Sequence, residues 1–205
     1  MNKYVAHPWH GISLGENAPN IVNAFIEVTP SDTVKYELDK TTGILKIDRP
    51  QLFSNICPTL YGMMPQTYCG QRVADVCKEK FGKEGIVGDK DPLDICVLTE
   101  KLVTNGNILL QAIPIGGIKL LDNNEADDKI VAVLKDDALY GDWNDISQCP
   151  KRVLDRLEHY FLTYKKAPAS QSNKVEILDI YSQEEAFKII KLASEDYKEN
   201  FPSTF

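Results

Sequence analysis

The stretch Gly88-Asp89-Lys90-Asp91-Pro92-Leu93-Asp94-Ile95-Cys96-Val97-Leu98 constrains this chain more than any other. Three aspartates fall within six residues and lead directly into an apolar run. Ile95 to Leu98 reads as a buried strand, which anchors the cluster to a rigid element. Pro92 fixes its own φ and drives Asp91 towards an extended conformation, so the carboxylates are aimed. Crowding them costs repulsion unless a cation sits among them, and carboxylate oxygens are the ligands that hard divalent cations prefer. A solvated acidic turn is the competing reading, because charge runs commonly lie on the surface. An EF-hand is excluded: counted from Asp89, its fifth position would be Leu93 and its sixth Asp94, where that loop needs an oxygen ligand and a glycine.

Net charge separates the classes of partner. With 23 basic and 30 acidic residues the chain carries −7, whereas binding to a phosphate backbone needs a basic surface. Nucleic acid is therefore not expected as a partner. A small anionic substrate stays open, since bound metal ions reverse the local sign. The N-terminus lacks the apolar core of a signal peptide and no apolar run approaches spanning length, so no membrane partner is expected. The five cysteines are odd in number and form no C-x-x-C pair; a disulfide framework or zinc site is not indicated, and a cytoplasmic location is the simplest.

Along the chain, residues 1–20 read as an irregular leader with Pro8, Gly11, Gly15 and Pro19. His7, Trp9 and His10 invite a metal reading, but histidines on such a leader more often pack or face solvent. Residues 21–28 are strand-like and place Glu27 near their end. Residues 33–39 alternate, with Val34, Tyr36 and Leu38 on one face and Lys35, Glu37 and Asp39 on the other. Lys40-Thr41-Thr42-Gly43 signals a turn, and Ile44 to Arg49 returns as the second strand. Residues 50–70 are loop-like but aromatic, which suggests a packed wall. Residues 71–87, partly helical in pattern, read as a surface insertion. Strands are expected at 94–98, 108–115, 117–121 and 129–134. Two helices close the chain: one after Pro150 with Leu157, Tyr160, Phe161 and Tyr164 in helical spacing, and one from Ser182 with Glu185 completing a capping box. No repeat or linker interrupts residues 1–205, so one domain is expected. Strands followed by helices predict an α+β fold, with a small antiparallel barrel as the sheet form.

A second acidic cluster, Asp122-Asn123-Asn124-Glu125-Ala126-Asp127-Asp128, occupies a turn between two predicted strands and is followed by Lys129. Two facing acidic turns can hold two or more Mg2+ ions. Lys35 and Arg49 on one hairpin, Lys129, and Tyr164-Lys165 at a helix end supply donors for phosphate oxygens. Carboxylates for metals together with Lys, Arg and Tyr make the composition of a phosphoryl-transfer site. The competing readings are a surface ion pair for Lys35 with Glu37, and packing for Tyr61, Tyr164 and Arg49.

These residues resemble the soluble family I inorganic pyrophosphatases. Asp89-Lys90-Asp91-Pro92-Leu93-Asp94 matches that family's D-x-D-P-x-D signature. Val34 to Lys40, Gly43 and Asp48-Arg49 resemble its substrate hairpin, Tyr61-Gly62 with Pro65-Gln66-Thr67 its active-site loop, Asp122, Asp127 and Lys129 its second acidic cluster, and His159-Tyr160-Phe161 with Tyr164-Lys165 its helix-end motif. The resemblance implies a five-stranded OB-like barrel with flanking helices, a homo-oligomer, and Mg2+-dependent hydrolysis of pyrophosphate to two phosphates by direct attack of a metal-activated water. It implies that Asp89, Asp94 and Asp127 hold a metal pair, that Asp122 with Asp127 holds a further substrate-borne ion, and that Asp91 is the general base. It further implies that Lys35, Arg49, Lys129, Tyr164 and Lys165 bind phosphate oxygens. Glu27 and Glu37 would order metal-bound water or the basic residues, and Tyr61 would hydrogen-bond near the metal or substrate. Two departures stand out: Cys57 precedes Pro58 where a tyrosine is common, and Asn123 follows Asp122 where a glutamate is frequent. The alternatives are another Mg2+-dependent phosphohydrolase, or a non-catalytic OB-fold binding module.

Overall fold

Strand alternation and two amphipathic helix faces dictate the architecture of the computed structural model, which describes residues 6–165 and 175–202. In chain order the elements are β1 (Val22–Val28), β2 (Val34–Leu38), β3 (Leu45–Pro50), β4 (Leu60–Met63), α1 (Gln71–Phe81), β5 (Val87–Gly88), β6 (Asp94–Leu98), β7 (Ile108–Asp122), β8 (Glu125–Ala126), β9 (Lys129–Leu134), α2 (Lys151–Thr163), β10 (Val175–Ser182) and α3 (Gln183–Asn200). Five strands close into a ring, β1–β4–β6–β9–β7 and back to β1. The pairing of β6 with β9 is parallel and the other four are antiparallel, so the expected antiparallel barrel is corrected to a mixed, ring-like sheet. β2 and β3 form a separate hairpin sheet.

The two strands expected at 108–115 and 117–121 are one long strand, β7. Its register breaks between Pro114 and Gly116, where a proline without an N–H can be tolerated. The continuous apolar run of β6 follows from burial on both faces. Ile95 and Val97 join the core beneath α3, while Cys96 and Leu98 join the core beneath α2. β9 splits in the same way, with Ile130 and Ala132 on the α3 side and Val131 and Val133 on the α2 side. α3 presents Ala186, Ile189, Ile190, Ala193 and Tyr197, all fully buried, at the spacing the sequence predicts. Each of its isoleucines contributes about 2 kcal/mol by leaving water.

The segment expected as a surface insertion carries α1, which buries Val73, Ala74 and Cys77. Its N-terminus is capped from α3: Asp196 accepts from the backbone N–H groups of Gly70 and Arg72, both at 3.1 Å, and from Arg72 Nη1 at 2.8 Å. The capping box expected at Ser182 does not form. The N–H of Gln183 donates to Asp145 Oδ2 at 3.2 Å, and Glu185 pairs with Lys80 and Lys119 instead. In the leader, whose first five residues lie outside the described ones, Trp9 is buried and donates from Nε1 to the Thr67 carbonyl at 2.8 Å. His10 sits 2.6 Å from the Tyr197 hydroxyl, so within the leader these rings pack.

Candidate active site

Local backbone geometry aims the first acidic cluster. Gly88 passes so close to Cys69 that a Cβ would lie 2.1 Å from its carbonyl oxygen; only glycine fits. Lys90 then adopts a left-handed φ of 66°, and the N–H of Asp91 donates to Asp89 Oδ1 at 2.9 Å. The loop is stitched to Cys69 from both sides, by Lys90 N–H to its carbonyl at 3.1 Å and by its own N–H to the Asp91 carbonyl at 2.8 Å. Leu93 is buried, its N–H on Thr67 Oγ1 at 2.9 Å, and Asp94 opens β6.

Tertiary pairing brings the basic residues in. The parallel register sets Asp94 beside Lys129, and the hairpin register sets Lys35 beside Arg49. The Leu38 N–H donates to Glu27 Oε1 at 2.7 Å, which ties the hairpin to the ring. Asn123 and Asn124 form the tight turn after Asp122, with φ of 52° and 72°. Asparagine tolerates that conformation far better than glutamate, so Asn123 suits this turn. Its side chain also donates to Asp122 Oδ1 at 2.8 Å. Cys57 is a fully buried core residue beside Tyr61 and Tyr160 and does not line the cleft.

The result is a cleft of about 170 Å³. Its walls include Asp89, Asp91, Asp94, Asp122 and Asp127, with Glu27 and Glu37, and Lys35, Tyr61, Lys129, Tyr164 and Lys165. Of the residues expected to act here, Arg49 alone does not line it. The Arg49 guanidinium lies 5.3 Å from the centre of the Tyr164 ring, with Nη1 on Asp48 Oδ2 at 2.5 Å and Nη2 buried without a partner. Two charged residues given no role from the sequence also line it, Lys40 and Glu125. Lys40 pairs with Asp91 from the hairpin turn, a position that only docking of the hairpin determines. Glu125 stands in the second acidic cluster, so the signal was its neighbourhood.

The side chains are tightly interlinked. Asp94 Oδ2 accepts from Tyr61 and from Lys129, both at 2.5 Å. Lys129 also pairs with Asp127, Lys165 with Asp122, and Lys35 with Glu37 at 3.2 Å and Asp48 at 3.1 Å. Burial raises the Tyr61 pKa well above the usual phenol value, and the Asp94 charge adds to this, so Tyr61 remains a donor. Burial, then the facing Asp127 charge, raises the Asp89 carboxyl well above the carboxylate range. Burial opposes ionisation of Asp127 too, but Lys129 holds it below its ordinary value. Burial pushes Glu27 up to about 8.

Eight carboxyl groups line the cleft against four lysines. That excess, its all-oxygen chemistry and the buried Asp89 fit hard divalent cations. Among the described residues no three of these groups already converge on one point, because the carboxylates are turned onto lysines.

Comparison with known proteins adds an independent line. The family model described as "Inorganic pyrophosphatase" matches residues 24–198. An inorganic pyrophosphatase of Chlamydia trachomatis is 57% identical over 197 residues, covering 94% of each chain. Soluble inorganic pyrophosphatase 1 of Arabidopsis thaliana is 35% identical, covering 95% of this chain and 81% of its own. The crystal structure of the inorganic pyrophosphatase from Thermus thermophilus superposes with a TM-score of 0.78 at 25% identity, over 93% of this chain and 99% of that one.

Proposed function

The chain belongs to the inorganic pyrophosphatase family and hydrolyses pyrophosphate to two phosphates; we propose that it does so with several Mg2+ ions held in the acidic cleft. The observation that carries this reading is the convergence of the two acidic turns and three lysines, Lys35, Lys129 and Lys165, on one small cleft. Asp89, Asp94 and Asp127 would hold a metal pair, and Asp122 with Asp127 would hold a further, substrate-borne ion. When bound, such ions neutralise substrate oxygens and lower the pKa of water.

The chain's own residues do the rest. Asp91, on the half-exposed rim of the cleft, accepts the proton of the attacking water, and Lys40 holds that carboxylate in place between turnovers. Lys35, Lys129 and Lys165 bind phosphate oxygens as point charges, and Tyr164 donates from its hydroxyl. Arg49 acts from behind Tyr164, with its unpartnered Nη2 directed to a phosphate oxygen once substrate is present. Tyr61 orients Asp94 through its 2.5 Å hydrogen bond. Glu37 steadies Lys35, and Glu27 fixes the hairpin and would order water at the metal site. The small, highly charged cleft suits pyrophosphate better than a nucleotide, for which no aromatic sandwich is present among the lining residues.

We read residues 1–205 as one domain, as the family match over 24–198 supports. A homo-oligomer is supported by Ile44, Ile47 and Phe53, each more than half exposed on β3 and the loops on either side of it. A cytoplasmic setting is supported by five buried, free cysteines. No helix of the described residues is long and apolar enough to cross a membrane.

Phosphate release from pyrophosphate with Mg2+, beside an EDTA control and Asp91→Asn, tests the reading. Release is expected with Mg2+ only, and the folded variant loses about 100-fold or more in kcat. Wild-type turnover in Asp91→Asn would remove Asp91 from the base role. Equal rates on ATP and pyrophosphate would refute the compact-substrate reading.

A further inference from the structure

On the side of the second acidic turn away from the cleft, Lys119 of β7 and Asp128 form an ion pair in the interior. Nζ and Oδ2 lie 2.9 Å apart, and the side chains are 0% and 1% exposed. The Tyr181 hydroxyl donates to the same oxygen at 3.3 Å, and the Tyr181 ring centre lies 4.8 Å from the ammonium group. Glu185 of α3 stands 3.4 Å from Lys119. Asp128 Oδ1 has no hydrogen-bond partner. Such a pair is a poor device for stability alone, because well-packed apolar residues of similar volume commonly serve a fold as well or better.

Its placement gives it another use. Asp127, Asp128 and Lys129 are consecutive, and side chains alternate along extended chain. Asp127 and Lys129 meet in the cleft, whereas Asp128 points to the opposite side and does not line it. The N–H of Asp127 donates to the Leu120 carbonyl at 2.9 Å, one residue beyond Lys119. Ile118, on the other side of Lys119, faces Lys129 across the β7–β9 ladder. The turn is thus clamped to β7 by backbone on one side and by a buried charge pair on the other.

We propose that Lys119 and Asp128 are positioning residues of the hydrolytic site: the pair fixes the roll of the chain so that Asp127 presents its carboxylate to metal and Lys129 its ammonium to phosphate. This rests on the reading of Asp127 as a metal ligand. Groups that orient a metal ligand from behind change metal affinity about tenfold or more when removed.

Three variants test it: Lys119→Met/Asp128→Leu, Asp128→Asn and Asp127→Asn. Direct Mn2+ binding followed by electron paramagnetic resonance, without substrate, is measured beside urea unfolding, Mg2+ half-saturation and kcat. The double variant is expected to unfold at the wild-type urea midpoint or above it, to bind Mn2+ about tenfold more weakly, and to keep kcat at saturating Mg2+. A folded double variant with wild-type Mn2+ affinity overturns the proposal. Should the double variant not fold, Asp128→Asn decides in the same way, by weakened or unchanged Mn2+ binding. Wild-type Mn2+ affinity in Asp127→Asn would instead overturn the metal reading of Asp127, a failure distinguishable from that of the pair.

Discussion

Replacing Glu27 with glutamine should stabilise the metal-free protein at alkaline pH and leave it unchanged at acidic pH. Glu27 is 6% exposed, and its Oε1 accepts the Leu38 N–H at 2.7 Å, a bond that a glutamine oxygen can keep. Burial raises its folded pKa from 4.5 to about 8. Between these values the folded state holds a proton that the unfolded state has lost. Stability therefore falls as pH rises, by about 1.4 kcal/mol per pH unit, to a total of about 5 kcal/mol above pH 8. Below about pH 4.5 both states are protonated and the penalty vanishes. The assay is urea unfolding in EDTA at pH 5, 6, 7 and 8.5, wild type against Glu27→Gln, at constant ionic strength. The gap between the two curves should open with pH in favour of the variant; taking the difference removes the titration of other carboxyls. In saturating Mg2+ the gap should narrow, because a neighbouring cation favours the ionised carboxylate. Parallel curves across this range in EDTA would refute the reading of Glu27 as a neutral, buried group that charges at a cost.

Other perturbations separate site from scaffold. Asp196→Ala removes the cap that α3 lends to α1 and should lower stability by about 2 kcal/mol in urea unfolding, with kcat unchanged. Gly88→Ala drives a methyl group onto the Cys69 carbonyl and should cost at least about 2 kcal/mol, with lost activity following displacement of Asp89, read by unfolding and by phosphate release. Lys165→Met releases Asp122 and removes a phosphate contact, so KM for pyrophosphate should rise about tenfold in steady-state kinetics.

How much was legible in the sequence follows from which signals were local. The hairpin of β2 and β3 announced itself because one face is polar and the turn residues are distinctive. α2 and α3 did so because each buries one stripe. β4 was hidden: all four of its residues are buried, so no alternation marks it among the aromatic loop residues. β10 went unread because its long middle is half-buried and follows no clear period. The capping box at Ser182 was a correct local pattern overruled from a distance, since Lys80 and Lys119 claim Glu185 and Asp145 supplies the acceptor.

By itself the sequence determined the chemistry available: two aspartate clusters beside strands, an acidic balance, and cations and tyrosines suited to phosphate. Residue types and short-range spacing carry that information, because carboxylate affinity for divalent ions and the restriction imposed by Pro92 are local properties. The tertiary structure alone decided who meets whom. Closure of the ring through a parallel β6–β9 pair sets Lys129 beside Asp94, and docking of the hairpin brings Lys40 onto Asp91 while leaving Arg49 behind Tyr164. The same packing places Asp128 on Lys119 in the interior, one residue away from a carboxylate in the cleft. These contacts join residues from nine to more than a hundred positions apart, and their energies depend on burial and register, which no single stretch of sequence encodes.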